Sequence, residues 1–597
     1  MSGLVATYEW NQLPWRKLEV AVFKLQKRIY RASQAGDNRR VHRLQRLLLK
    51  SRAAKYLAVR RVTQDNRGKH TAGVDGIKSL TPQQRLAVAK DLARLPLGKP
   101  ARRIWIPKPG KDEQRPLSIP TLYDRARQAL VKQVMEPAWE AQFEPNSYGF
   151  RPGRSTQDAI GAIYNAIKKQ PKYVLEADIA KCFDRIDRDA LLRKTGTFPA
   201  LRRLIKRWLN AGIIDNGVFS ETDRGTPQGS VLSPLLANIA LHGLETYLHK
   251  HFPRHRTVNK AGKRVQQAWK PQVIRYADDL VVLHRDKTAI EHCQRLTAAW
   301  LADIGLELSP TKTRITHTLQ IEEGETGFQF LGFQVQQYPA SQYNTQGRGF
   351  KTLIKPSKEA IKHHYRQLTE RINRQKTARQ EHLIRQLNPI IAGWSHYYRA
   401  VVSKHVFRTL DNKLYHRLVR WARHRHPQKG RRWIAHHYWR AVKGRHWVFG
   451  TSNGLTLNLH AEVAIVRHAR VKGDASPYDG NWSYWAARQG HHPGVPNRLA
   501  NILKTQQGRC QACGLVFTPQ ALIEIHHLDG DHRNNRYDNL AAVHRHCHDQ
   551  IHGGYHELSQ RVGTHDKSPL TEEPCVAKVT STVLKASGGG DPFAEPN

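Results

Sequence analysis

Acidic residues are scarce in this chain. Its 597 residues carry 49 Asp and Glu against 97 Lys and Arg, a formal charge of +48. A compact protein with that excess repels itself, so a polyanionic partner is expected, and nucleic acid is the economical one. Long apolar runs are also missing. No run of about eighteen apolar residues occurs, which excludes a spanning helix, and the cations are spread along the chain rather than gathered for a membrane surface. No basic-then-apolar segment occupies the first ten residues, so an intracellular, reducing location is expected. In that reducing setting the six cysteines are not expected to form a disulfide framework. Cys182, Cys293 and Cys575 stand alone, whereas Cys510, Cys513 and Cys547 cluster in a way that suggests metal. Internal repeats are absent. Against these absences stand a 39% hydrophobic fraction and 14 Trp, enough for several folded domains.

The N-terminal segment from Trp15 to Arg61 reads as basic helix, with Leu18, Val22, Leu25 and Ile29 spaced three or four apart. Thr81-Pro82-Gln83-Gln84 reads as a helix start, with Thr81 as N-cap, Pro82 at the first helical position and Gln84 closing a capping box. Residues from about 100 to 335 mix short strands and helices in an α+β pattern. Basic helices return from Lys358 to Arg425, with aromatics interleaved in Gly393-Trp394-Ser395-His396-Tyr397-Tyr398-Arg399. Residues 430–498 are rich in Trp, His and Arg and carry no motif. Beyond Glu557 the chain is polar, and disorder is expected there.

Tyr276-Ala277-Asp278-Asp279 sits between Val273-Ile274 and Leu280-Val281-Val282-Leu283, which predicts a β-hairpin with two carboxylates at its tip. A hard divalent cation needs oxygen ligands held in this way. A second extended run, Lys172 to Asp178, ends in an acid. Asp178 and Asp278 together could hold two Mg²⁺ ions about 4 Å apart, the geometry of phosphoryl transfer. Phe183, five positions after Asp178, is placed either as a platform under a nucleotide sugar, where a 2′-hydroxyl would clash, or as an ordinary core aromatic. Gly225-Thr226-Pro227-Gln228-Gly229-Ser230 is a small-residue turn that permits close backbone approach to a ligand. Lys108 and Arg115 are two cations suited to clamping a triphosphate. Each of these alone also reads as a plain loop.

Their order carries more than any one of them. From Gly73 to Gln334 the chain resembles the reverse transcriptases of group II intron-encoded proteins. The matching segments run in order: Ser147-Tyr148-Gly149-Phe150-Arg151-Pro152-Gly153-Arg154-Ser155, Ala177-Asp178-Ile179, Gly225 to Asn238, Tyr276 to Asp279, Gly305 to Thr313, and Phe330-Leu331-Gly332-Phe333. The resemblance implies a right-hand polymerase, with fingers and palm built on an antiparallel sheet. Asp178, Asp278 and Asp279 would be its catalytic acids, with Asp178 and Asp278 as the main Mg²⁺ ligands. Lys108, Arg115 and Gln228 would contact the incoming deoxynucleoside triphosphate, and Phe183 would exclude ribonucleotides. Ser230 departs from the family, which often has glycine there. The basic helices to Arg425 resemble the α-helical thumb, or maturase X domain. Their cations and aromatics suit phosphates and bases, although Trp394, Tyr397 and Tyr398 read equally as bundle core.

Near the C-terminus, Cys510-x-x-Cys513 and His544-x-x-Cys547 form two short pairs with the spacing of a closed structural Zn²⁺ site. His546 is the alternative to His544. The remaining Glu524-Ile525-His526-His527-Leu528, Asp538-Asn539-Leu540 and His548-x-x-x-His552 resemble a ββα-metal HNH endonuclease. That resemblance implies His527 as the general base, His526, His548 and His552 as ligands of a catalytic divalent ion, and Asn539 as the residue orienting the His527 loop.

The expected organisation is therefore multidomain α+β. It comprises a basic N-terminal RNA-binding extension (1–70), reverse transcriptase fingers and palm (71–340), thumb (350–429), a DNA-binding region (430–498), an HNH module (499–556) and a tail (557–597). The family implies three roles in one nucleoprotein with intron lariat RNA: RNA-directed DNA polymerase, maturase and DNA endonuclease nicking target DNA to prime the copy. Such a particle would be bacterial-type or organellar, without a membrane partner, and a homodimer is compatible with it. Two rival readings are a non-catalytic splicing cofactor and a reverse transcriptase of another lineage, diversity-generating or defence-associated. The three acids weigh against the first, and the HNH module and long thumb against the second.

Overall fold

A computed structural model describes residues 9–552, apart from short breaks at 93–97, 108–112, 253, 259–263, 323, 342, 344–346 and 443. Lys108 and the tail from residue 553 lie outside the described residues, as does Cys575. The chain divides into two compact units, one of residues 1–18 and 28–476, the other of 19–27 and 477–597.

The helical N-terminal stretch is three helices rather than one: Trp15–Gln34, Asn38–Lys50 and Arg52–Arg60. The breaks have local causes. The Asp37 side chain accepts from Arg40 N and Ser51 from Ala54 N, so each starts a new helix by capping orphan amides. The box at Thr81 forms as expected, with Gln84 N donating to Thr81 Oγ1 at 3.3 Å and Thr81 N donating to Gln84 Oε1 at 2.8 Å.

Two four-stranded sheets follow in the first unit. One has the order Gln114–Ile119, Ala101–Pro107, Ile213–Asp215, Val218–Ser220. The other is antiparallel, with the order Arg314–His317, Tyr173–Asp178, Asp279–His284, Gln272–Tyr276. Its central strand Asp279–His284 is buried on both faces, Leu280, Val281, Val282 and Leu283 each being 1% exposed or less. Leu175, Ala177, Leu280 and Val282 pack with Ile290 and Cys293 of helix Lys287–Ala302 in one apolar cluster. A three-stranded meander, Phe328–Phe330, Phe333–Pro339 and Phe350–Pro356, leads into three helices, Lys358–Arg374, Gln380–Tyr398 and Lys404–Arg425. There Leu368, Leu383, Leu387, Leu414, Leu418 and Trp421 form the core. The aromatics of the Gly393–Arg399 stretch are packing residues. Trp394 stacks on His364 at 4.5 Å, and the Tyr397 and Tyr398 hydroxyls donate to Leu331 O and Gly332 O.

The 430–498 stretch is not one body. Helix Arg431–Tyr438 and hairpin Trp439–Val442/Arg445–Phe449 belong to the first unit, with Tyr438, Trp439 and Phe449 joining the three-helix core. Helices Trp482–Gln489 and Asn497–Thr505 belong to the second unit, where Ala486, Ala500 and Leu503 pack with Cys510, Phe517, Val543 and Cys547. Strand Ile523–His527 pairs antiparallel with Leu540–His544, and helix Arg545–His552 follows directly. Among the described residues no helix is long and apolar enough to cross a membrane.

Candidate active sites

In the first unit the expected hairpin forms. Tyr276 pairs with Asp279, leaving Ala277 and Asp278 as a two-residue tip, with Ala277 at φ 58°. The left-handed conformation suits a tight hairpin turn. The tip is held from behind by a buried guanidinium. Arg275 Nη1 donates to Ala277 O and Asn238 Oδ1, both at 3.1 Å, while Tyr148 N donates to Arg275 O. The loop carrying Tyr148 is itself fixed by a bidentate pair between Arg151 and Glu140, each side chain 1% exposed. A Cβ at Gly149 would lie 2.3 Å from Ala277 N, so only glycine lets this loop touch the tip.

Asp178 ends its strand directly opposite Asp279. A cleft of about 940 Å³ opens on these acids, and Asp178, Asp278, Asp279, Phe183, Arg115 and Gln228 all line it. Phe183 is seated by the small-residue turn: Thr226 N donates to Phe183 O, and a Cβ on Gly225 would lie 2.5 Å from that oxygen. The carboxylates are costly where they sit. Burial, then the charges of Asp278 and Asp178, push the Asp279 carboxyl up to about 7, and Asp278 is raised chiefly by burial and further by Asp178. The three do not close to within 4.8 Å as a ligand set, since the sets of three or more that do so among the described residues all lie in the second unit. Instead Lys312 Nζ sits 2.5 Å from Asp178 Oδ2, on a turn held by Ser309 N donating to Asp178 O. The Lys312 ammonium offsets part of the repulsion among the acids, and oxygen donors of this kind suit a hard divalent cation. Lys312 lies within the quoted Gly305–Thr313 motif, but the sequence carried no sign that it would reach Asp178.

In the second unit, ligand atoms of Cys510, Cys513, His544 and Cys547 lie within 4.8 Å of one another. His544 rather than His546 is in the set, with Nδ1 3.4 Å from Cys513 Sγ. Three thiols and one imidazole converging in a small core fit a tetrahedral soft-metal site. Nitrogens of His526, His548 and His552 form a second set within 4.8 Å. Burial and the neighbouring imidazoles hold His526 below the usual range, which keeps it a neutral donor. His527 is adjacent on the same strand, and both of its ring nitrogens are shielded without a hydrogen-bond partner. Asn539 secures the loop beyond it: Oδ1 accepts from Asp529 N at 3.0 Å, and Nδ2 donates to Asp529 Oδ1 at 2.7 Å and to Asn534 O at 2.9 Å. One partner went unread in the sequence. Glu524 Oε2 lies 2.7 Å from His548 Nδ1, and Glu524, His548 and Asp549 form a further set whose ligand atoms lie within 4.8 Å of one another. The i,i+2 spacing of Glu524 and His526 on one strand face was the available signal.

Comparison with known proteins follows this division. Residues 106–335 match the model of the reverse transcriptase (RNA-dependent DNA polymerase), 10–92 its N-terminal domain, 361–439 the group II intron maturase-specific domain and 510–554 the HNH endonuclease. The protein YkfC of Escherichia coli is 34% identical over 325 residues, covering 49% of this chain and 82% of that protein. The group II intron-encoded protein LtrA of Lactococcus lactis is 28% identical over 399 residues, covering 56% of this chain and 63% of LtrA.

The chain belongs to the group II intron-encoded reverse transcriptase/maturase family. A putative COX1/OXI3 intron 1 protein of Saccharomyces cerevisiae is also similar, 27% identical over 287 residues, with 41% of this chain and 34% of that protein covered. The family member described here is a multifunctional intron protein, with RNA-directed DNA polymerase and nuclease domains joined by a maturase domain. Those domains imply dependence on divalent metal and partnership with intron RNA.

Proposed function

We propose that this protein, assembled with its parental intron lariat RNA, nicks target DNA with its second unit and copies RNA from the nick with its first. The observation that supports the reading is the coexistence of two groups of candidate ligands in one chain: Asp178, Asp278 and Asp279 around a strand end and the hairpin tip facing it, and His526, His548 and His552 on a strand and helix of the other unit. In this reading residues 71–340 are fingers and palm, the helices from Lys358 to Arg425 are the thumb, and Ile523–His552 is a ββα-metal module with Cys510, Cys513, His544 and Cys547 on structural Zn²⁺. Mg²⁺ at the acids, and a divalent ion at the histidines, would supply Lewis-acid stabilisation of the reacting phosphate. Asp178 and Asp278 hold the ligand positions, and Asp279 adds charge beside them. Arg115 orients the triphosphate, with Lys108 as its expected companion. Gln228 sits on the glycine turn where the nucleotide approaches, and Phe183 lies under the sugar, where a 2′-hydroxyl would collide with the ring. His527 takes the proton of the attacking water at an unpartnered ring nitrogen, and Asn539 keeps the loop beyond it in place.

Primer extension on an annealed RNA template tests the polymerase half. The double variant Asp278→Ala, Asp279→Ala is expected to bind RNA as the wild type does and to extend no primer. Extension at the wild-type rate would remove the hairpin from the mechanism.

A further inference from the structure

Near the end of the first unit, Ala464 to Lys472 form neither helix nor strand, and they lie outside the four regions that match known families. Ala464 to Arg470 are exposed and Val471 is buried, so apolar burial does little to hold the segment. Polar contacts hold it instead. Upstream, the Asp411 carboxylate accepts from His460 N and Ala461 N at 2.9 Å each, and Val466 N donates to Arg399 O at 3.0 Å, all on the three-helix region. Downstream, the segment lands on the loop behind the hairpin tip. His468 Nε2 and Val471 N donate to Asp158 Oδ1 at 2.9 and 2.7 Å, Arg470 Nη1 donates to the Tyr148 hydroxyl at 3.3 Å, and Arg154 Nη2 donates to Gly473 O at 2.9 Å. Asp158 is fully buried, and its Oδ2 accepts from Ser155 N and Oγ at the start of helix Thr156–Ile167. Detaching the segment would strip two donors from a carboxylate that water does not reach, which is costly.

We propose that residues 464–476 are a strap that positions the polymerase hairpin, with His468 acting through Asp158 and Arg470 through Tyr148. The proposal rests on the reading of Asp278 and Asp279 as polymerase acids and adds what braces them. The strap pins the loop on both sides of Gly149, at Tyr148 immediately before it and at Asp158 beyond it. Gly149 is the residue pressed against Ala277 N, and Tyr148 N donates to Arg275 O at 2.9 Å, on the strand that ends in the tip. A shift of the loop is therefore passed to the backbone carrying Asp278, whereas Arg115, Phe183 and Gln228 stand on other segments. The strap thus governs turnover rather than nucleotide affinity. Polymerisation accordingly depends on chain that lies beyond the matched maturase region.

Steady-state primer extension by the full-length protein tests this, with the melting temperature measured alongside. His468→Ala is expected to lower kcat by up to about 100-fold, the scale of a misplacement of about 1 Å, with the nucleotide KM unchanged. His468→Gln, whose amide can donate to Asp158 from a similar position, should restore kcat. In a cycle of Arg470→Ala with Tyr148→Phe, the double variant should lose no more than the worse single one. A wild-type kcat in His468→Ala, a change in KM alone, or no rescue by glutamine would overturn the strap. Should His468→Ala fail to fold, the cycle decides: sub-additive losses support the strap and additive ones overturn it. Asp278→Ala separates the underlying reading. Full extension by that variant would sink the assignment of the acids, whereas its loss beside wild-type kcat in the strap variants would overturn the strap alone.

Discussion

Asp178 and Asp279 face each other across antiparallel strands, the last residue of one opposite the first of the other. Backbone pairing, not side-chain attraction, brings these like charges together, and the sheet holds them against their repulsion. The burial of hydrophobic residues under that sheet is therefore what sustains the charge cluster.

The second unit should depend on its thiol–imidazole set for stability. Cys510 and Cys547 are buried among Phe517, Leu540 and Val543, so an ion there would tie the sheet to the preceding loop. Chelation is expected to lower the melting temperature of the second unit and leave RNA-templated primer extension intact. A single unshifted melting transition would argue against a structural ion.

Glu524 should act through His548. With Nδ1 engaged by the carboxylate, the imidazole is fixed in the tautomer that offers Nε2. Glu524→Gln is expected to weaken divalent binding at the histidine cluster by about 10- to 100-fold, read by calorimetry on the zinc-loaded protein. Unaltered affinity would reduce Glu524 to a surface contact.

The Glu524 contact also marks where sequence ceased to be informative. Features that are local in the chain were legible: the hairpin tip, the acid at a strand end, the capping box at Thr81 and the paired cysteines. Each is encoded by period or spacing. Contacts between distant segments were not legible, as with Lys312 on Asp178, 134 positions apart, or Arg275 on Asn238, 37 positions apart. The same holds for the 430–498 stretch, whose Trp-, His- and Arg-rich composition is uniform although its two ends pack into different cores. The N-terminal helices show the reverse failure. Gly36-Asp37 and Ser51 are break signals in a stretch read only as helical, and capping by Asp37 and Ser51 starts each new helix there.

A buried chain in the three-helix region gives a pH prediction. His460 Nδ1 lies 2.6 Å from Asp411 Oδ1, and its Nε2 lies 2.8 Å from His364 Nε2. Asp411 accepts, so His460 carries its proton on Nδ1 and His364 donates from Nε2. Burial, and then the neighbouring His460, push His364 down to about 3. The folded state therefore refuses a proton that the unfolded chain accepts near 6.5. Stability from this site is complete above that value and is lost progressively as pH falls toward about 3, by at most about 1.4 kcal/mol per pH unit. His364→Gln should flatten this dependence in urea titrations between pH 7 and 4. An equal slope in both proteins would place the acid sensitivity elsewhere.

The central claim is a relay in which one unit makes the primer that the other extends. Its most direct measurement is cDNA synthesis by His527→Ala, reconstituted with lariat RNA, on intact and on pre-nicked target DNA. The relay predicts no cDNA on the intact duplex and wild-type yield on the nicked one. Wild-type synthesis on intact DNA, or failure on nicked DNA, would contradict it.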